Sequence, residues 1–185
     1  MRVILASKSP RRKELLRELF DSFEIITAEV DETLPESIHP REGVEILAVR
    51  KGAPVAAENP DALVISSDTL VELGGVPLGK PTDVLDAKNM LRTLSGNTHR
   101  VHTGVAVHYK GRAISGVDST AVSFRDLCES EIDEYIATGE PMDKAGAYGI
   151  QGKGGALVSG YEGSFDTVVG LSVALTERLC KEIVK

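Results

Sequence analysis

A chain of 185 residues, 42% hydrophobic and 26% charged, has the composition of a soluble globular protein long enough to bury a sizeable core. Its formal net charge of −7 argues against general duplex binding, which rests on basic groups meeting phosphates, but leaves open a small anion held in one basic pocket. Only Cys128 and Cys180 are present, without CxxC spacing; this excludes a disulfide framework and a structural zinc site and predicts two buried thiols in a reducing compartment.

In chain order, Val3-Ile4-Leu5 reads as a short buried strand, and Pro10 with Leu15, Leu16, Leu19 and Phe20 as the start of an amphipathic helix. The tight turn between them holds Ser7, Lys8, Ser9, Arg11 and Arg12. Hydroxyls, cations and the free N–H groups of a helix N-terminus suit a polyphosphate. A capped, solvated surface helix is the competing reading of the same residues. Phe23 to Val30 is β-branched enough to be a strand delivering Asp31 and Glu32 at its end. Pro40 opens a helix on Val44, Leu47, Ala48 and Val55, carrying Arg50 and Lys51, which ends or kinks at Pro54.

Ala62 to Thr69 reads as a central strand whose polar end, Ser66-Ser67-Asp68-Thr69, falls where ligands collect in α/β sheets. Leu70 to Leu78 forms a hairpin on Gly74-Gly75, leading to Lys80 on the constrained loop Gly79-Lys80-Pro81. Thr82 is expected to cap a helix ending at Leu94, with Gly96 just beyond. Strands over Arg100 to Tyr109 and Ala113 to Arg125 turn at Lys110-Gly111, and Ser130 caps a short acidic helix that stops at Gly139. Asp143 to Gly155 contains five glycines around Gln151. Such backbone can approach a ligand closely, and the glutamine amide offers a donor and an acceptor; a flexible surface loop is the plain alternative. A strand at Ala156 to Ser159 and a helix from about Leu171 complete the chain.

No repeat or linker divides the sequence, so residues 1–185 read as one α/β domain: a mixed, elongated, twisted sheet flanked by helices, with two lobes and a central cleft. The absence of a signal-peptide pattern and of any uninterrupted apolar run of about 18 residues predicts a cytoplasmic protein without a membrane partner. His39, His99, His102 and His108 form no metal-ligand spacing; His39 is expected to be a solvated loop residue. Asp68 and Glu32, at strand ends, could ligate Mg²⁺ alongside substrate phosphates, or one could be the base that orients water. Arg11, Arg12, Lys51 and Lys80 would neutralise the polyphosphate.

Taken together, Leu5-Ala6-Ser7-Lys8-Ser9-Pro10-Arg11-Arg12, Val30-Asp31-Glu32, Lys51, Ser67-Asp68-Thr69, Gly79-Lys80-Pro81, Leu94-Ser95-Gly96, His102-Thr103-Gly104 and the run from Asp143 to Gly152 resemble the Maf family of nucleoside triphosphate pyrophosphatases. The match spans nearly the whole chain. The resemblance implies an inosine triphosphatase-like two-lobed fold and hydrolysis between the α- and β-phosphates with a divalent cation, Mg or Mn. It implies Asp68 as the catalytic proton acceptor. Ser7, Arg11, Arg12, Glu32, Lys51 and Lys80 are implied to face phosphates and metal. Arg12, Thr69 and Gln151 look like the specificity positions of the branch acting on dTTP and UTP, rather than the sister branch that favours 7-methyl-GTP. A homodimer is compatible with it. One departure is Ser172, where the family often has proline after Gly-Leu. The alternative function is a nucleotide-binding regulator of cell division with incidental hydrolysis.

Overall fold

The structure, a computed structural model, describes residues 1–35 and 37–185. Its strands are β1 (Val3–Leu5), β2 (Glu24–Ile25), β3 (Leu63–Leu73), β4 (Val76–Leu78), β5 (Thr98–Tyr109), β6 (Arg112–Phe124) and β7 (Val158–Glu162). They form one mixed sheet in the order β2-β1-β3-β5-β6-β7, with β4 paired to β3. The α-helices are α1 (Pro10–Leu16), α2 (Pro40–Glu58), α3 (Val84–Leu94), α4 (Glu129–Ala137), α5 (Phe165–Val169) and α6 (Val173–Ile183). This is the expected mixed α/β class, and no helix is long and apolar enough to cross a membrane among the described residues.

The chain resolves into two compact units. The first comprises Met1–Thr69, Thr103–Asp118 and Gly170–Lys185; the second comprises Leu70–His102 and Ser119–Val169. In the first, β1 runs parallel to both β2 and β3, and Leu5 pairs with Ile65. The three apolar residues at the start of β3, Leu63, Val64 and Ile65, are fully buried, as a parallel strand covered on both faces requires. Ile4, Ala6, Val55, Ala62 and Val64 pack together, with Ile26 against them.

Several boundaries differ from the sequence reading, each for a local reason. The strand expected over Phe23 to Val30 shrinks to Glu24–Ile25, because its partner β1 offers only three residues. Ile26 makes the last bond to β1, its N–H donating to Leu5 O at 3.2 Å, and packs its side chain on the core. Pro54 lies inside an unbroken α2. His39 is not a mere loop residue: it caps α2, its Nδ1 accepting from Arg41 N–H at 3.2 Å. Asp83, not Thr82, caps α3, and α4 starts after Cys128 rather than Ser130, with Glu131 accepting from the Cys128 N–H at 3.0 Å. Cys128 is therefore exposed, whereas Cys180 is buried as expected. The last helix starts two residues late because Ser172 caps it, accepting from Leu175 N–H at 3.3 Å and donating to Asp118 at 2.8 Å. The preceding short helix α5 had no clear periodic signal. The last strand begins at Val158 rather than Ala156.

In the second unit, α3, α4 and the strand segments enclose a core of Val71, Leu91, Leu94, Val101, Phe124, Ile132 and Tyr148 with their neighbours. The β3–β4 hairpin turns at Gly74 and Gly75, both with positive φ, as two-residue turns of this kind require. Its end is pinned by Glu72, which accepts from Gly75 N–H at 2.9 Å and lies 2.7 Å from His102, whose other nitrogen is 2.7 Å from Ser119.

His99 sits among Phe124 and Tyr148 in edge-to-face contacts and lies 2.7 Å from the Tyr148 hydroxyl. Burial pushes its pKa down from 6.5 to about 4. The protonated form is disfavoured in the fold, so this contribution to stability is complete above about pH 6.5 and is lost as the pH falls from there through about 4, the window in which only the unfolded chain gains the proton. The loss is on the order of 3 kcal/mol. His99→Phe is expected to flatten the pH dependence of the urea-unfolding free energy across that window, leaving the residual slope of His108, which burial also lowers. A slope identical to that of the unsubstituted chain would reject the assignment.

Candidate active site

Parallel pairing of β1 with β3 explains why two polar stretches distant in sequence meet. Val3, Ile4 and Leu5 pair with Leu63, Val64 and Ile65. Ala6 N–H then donates to Ile65 O at 2.8 Å, so Ser7 emerges beside Ser67 and its neighbours. Beyond that point α1 begins at Pro10, with Ser9 as its cap accepting from Arg12 N–H. The pyrrolidine lacks an N–H at a position where none is needed, and its fixed φ suits a first helical residue.

Alternation along β3 sorts the site onto two faces. Ser66 and Asp68 point toward α2: Ser66 donates to Ala48 O at 2.7 Å, and one helical turn later Lys51 Nζ lies 2.5 Å from Asp68 Oδ1. Lys51 also reaches Glu32 Oε2 at 2.9 Å. The Asp68 side chain is 10% exposed, Lys51 20% and Glu32 58%, so this is a carboxylate pair open to solvent on one side and gathered on one ammonium. Ser67 and Thr69 point the other way. Ser67 donates to Gly170 O at 3.0 Å, and Thr69 Oγ1 is 3.0 Å from Thr103 Oγ1.

Arg12 ties that second face together. Its Nε donates to Gly170 O at 2.8 Å, one terminal nitrogen to Thr69 Oγ1 at 3.2 Å and the other to Ser7 Oγ at 3.4 Å. Burial lowers its pKa; the charges of Asp68 and Glu32 oppose this, and that of Arg11 adds to it. A guanidinium remains charged under any such shift, so the turn keeps a fixed, partly desolvated cation.

The structure thus joins Ser7, Arg12 and Thr69 directly, and Glu32, Lys51 and Asp68 directly. Arg11 lies on the same turn, partly exposed. Lys80 and Gln151 belong to the second unit, both exposed. There Gly79 O accepts from Gly146 N–H at 3.0 Å, which fixes the Lys80 loop against the glycine-rich segment.

Three contributors have no site role in the sequence reading, although Arg50 and Thr103 stand in its segments. Arg50 donates to Asp31 O at 2.7 Å and Thr33 O at 2.9 Å, clamping the loop that presents Glu32. Thr103 buttresses Thr69, and the Gly170 carbonyl aligns Arg12. A signal for the last existed in the glycine itself, whose φ of 131° few other residues adopt.

A family described as Maf-like protein matches residues 2–183. A dTTP/UTP pyrophosphatase of Bacillus velezensis is 51% identical over 181 residues, covering 98% of this chain and 96% of the relative. One from Pelotomaculum thermopropionicum is 50% identical over 182 residues, covering 97% and 95%. Among solved structures, the Ham1 protein of Staphylococcus aureus superposes with a TM-score of 0.51 at 15% identity, over 68% of this chain and 73% of that one, a likeness of fold alone. It agrees with the inosine triphosphatase-like arrangement expected from the motifs. A full-length family match joined to half-identical relatives leaves no other assignment: the chain belongs to the Maf family.

Proposed function

We propose that this protein is a nucleoside triphosphate pyrophosphatase that hydrolyses dTTP and UTP, or modified pyrimidine relatives, to the monophosphate and pyrophosphate, clearing the nucleotide pool of the cytoplasm. The observation that carries the reading is the Glu32–Lys51–Asp68 cluster beside the Ser7–Arg12 turn. It sets carboxylates near a fixed, partly desolvated cation in a chain half identical to enzymes named for that activity.

In this reading Ser7, Arg11 and Arg12, with the N-terminus of α1, receive the triphosphate, and Lys80 adds a further cation. Asp68 takes a proton from the attacking water as the α–β phosphoanhydride bond breaks and pyrophosphate leaves. Lys51 holds Asp68 in place and lies ready to meet the charge developing on the phosphates.

The residues present fit a divalent cation. Glu32 and Asp68 converge on a single positive group, and two carboxylates are the protein share of a Mg²⁺ site whose other ligands are substrate oxygens and water. Bound there, Mg²⁺ or Mn²⁺ would supply charge neutralisation and polarise a phosphoryl oxygen. Glu32 and Asp68 would hold it. Thr69 and Gln151, with Arg12, are read as the base-selecting positions, Gln151 pairing with the carbonyl and ring N–H of a pyrimidine. A homodimer is compatible with the family resemblance and is tested by sedimentation.

Pyrophosphate release from dTTP, UTP, CTP, GTP, 7-methyl-GTP and ITP tests the reading, with Mg²⁺ or Mn²⁺ and an EDTA control. Fast release from dTTP and UTP that EDTA abolishes is expected. Tight nucleotide binding with no release from any member of the panel would instead favour the cell-division regulator.

A further inference from the structure

Gln151 is exposed, yet the loop that carries it is held from within by one carboxylate. Glu140 opens the 3₁₀ turn Glu140–Asp143 that follows α4. Its Oε1 accepts from the Tyr135 hydroxyl at 2.9 Å and from Gly154 N–H at 3.1 Å, and its Oε2 accepts from Lys153 N–H at 3.0 Å. The Tyr135 hydroxyl in turn accepts from Gly149 N–H at 3.1 Å. Backbone donors on both sides of residues 150–152 therefore converge on this Glu–Tyr pair. The loop closes so tightly that a Cβ at Gly152 would lie 2.5 Å from both Glu140 carboxylate oxygens. Burial pushes the Glu140 carboxyl up, but the N–H groups of Gly154 and Lys153, the Tyr135 hydroxyl and Lys144 outweigh it and leave its pKa lowered. The carboxylate is an anion seated in a cradle of main-chain donors, a role that fixes backbone rather than solvating a surface.

Such anchoring matters for base choice. Thymine and uracil present a carbonyl acceptor where cytosine presents an amino donor. A glutamine amide on a loose loop can turn over and serve either pattern, so discrimination requires that its backbone be fixed. We propose that Glu140, acting through Tyr135 and the N–H groups of Gly149, Lys153 and Gly154, is a positioning residue that holds Gln151 and thereby sets the preference for dTTP and UTP over CTP. This rests on the assignment of Gln151 as base reader.

The experiment measures steady-state kinetics of the full chain with dTTP, UTP and CTP in Mg²⁺, for Glu140→Gln, Tyr135→Phe, Gln151→Ala and the Glu140→Gln/Gln151→Ala double variant. Glu140→Gln keeps one acceptor but turns an NH₂ group against a main-chain N–H. It is expected to raise KM for dTTP and UTP about tenfold with kcat nearly unchanged. CTP should be spared, so the ratio of kcat/KM for dTTP to that for CTP falls about tenfold. Tyr135→Phe, a milder change that keeps the packing, is expected to lower the ratio about threefold. Because both act through Gln151, the double variant should discriminate no worse than Gln151→Ala alone. Equal losses on all three nucleotides, with the ratio preserved in both Glu140→Gln and Tyr135→Phe, would mark the pair as structural and overturn the proposal. A ratio unmoved by Gln151→Ala would instead remove Gln151 as base reader, and the positioning role with it.

Discussion

Asp68→Asn is expected to lower kcat for dTTP about a thousandfold while calorimetric titration still finds nucleotide binding. The substitution keeps the shape of the side chain and an oxygen for Lys51 at the 2.5 Å contact. Lys51 is not left unpaired, because Glu32 remains at 2.9 Å, so the usual penalty for orphaning a buried charge does not arise. What is lost is the negative charge that the proposed function gives the task of accepting a proton or holding a divalent cation. The Ser7 and Thr69 hydroxyls and Arg12 lie on the opposite face of β3 and keep their hydrogen bonds to one another; Arg12 loses only the through-space attraction of the Asp68 charge. Retained activity would remove Asp68 from the chemistry. Loss of metal-dependent binding together with turnover would identify its main role as ligand rather than base. An unchanged thermal midpoint is the control that the fold survives.

The second large effect is on stability. Gly104 lies where β5 meets α2, and a Cβ there would sit 2.3 Å from Val44 O, 2.6 Å from Val44 C and 2.9 Å from Glu45 N. These are main-chain atoms of a helix and cannot rotate aside. Gly104→Ala must push α2 off the sheet, at a cost of about 3 kcal/mol or more, or a fall in Tm of about 6–12 °C for a chain of this size. Because α2 carries Lys51, dTTP turnover should fall as well, even in the cold. Gly116→Ala is the comparison: its Cβ would meet only the far ends of two side chains, Leu175 at 3.1 Å and Arg178 at 3.8 Å, and should cost less than about 1 kcal/mol. Equal midpoints for the two variants would contradict the close approach.

Much of this was legible in the sequence because its signals were local. Pro10 after Ser9, the apolar run before Ser67-Asp68-Thr69, and the Gly74-Gly75 and Lys110-Gly111 turns each state a backbone geometry without help from distant residues. The strand at Phe23 to Val30 was overextended because β propensity cannot reveal that the neighbouring strand has only three residues to pair with. Cys128 was expected inside because cysteines usually are, and only the start of α4 turns it outward. Contributions made by carbonyls are the hardest to read: Gly170 aligns Arg12 and Arg50 grips the Asp31 and Thr33 oxygens, yet an oxygen acceptor on the main chain leaves no mark in residue identity. The same holds for Glu140, whose partners are two main-chain N–H groups and the Tyr135 hydroxyl rather than a set of side chains with a recognisable pattern.

The bonds that Arg12 and Ser67 donate to Gly170 O span 158 and 103 residues, and they impose an order on synthesis. A growing polypeptide that has already made β1, α1, α2 and β3 possesses the turn, Lys51 and Asp68, but not the acceptor that aims the guanidinium. Local helices can form as they emerge, whereas a closure over so many residues must wait for its second end. A ribosome-held chain halted before residue 170 should therefore contain the charged cluster without the aligned arginine, and completion of the turn becomes a late event in the life of each molecule.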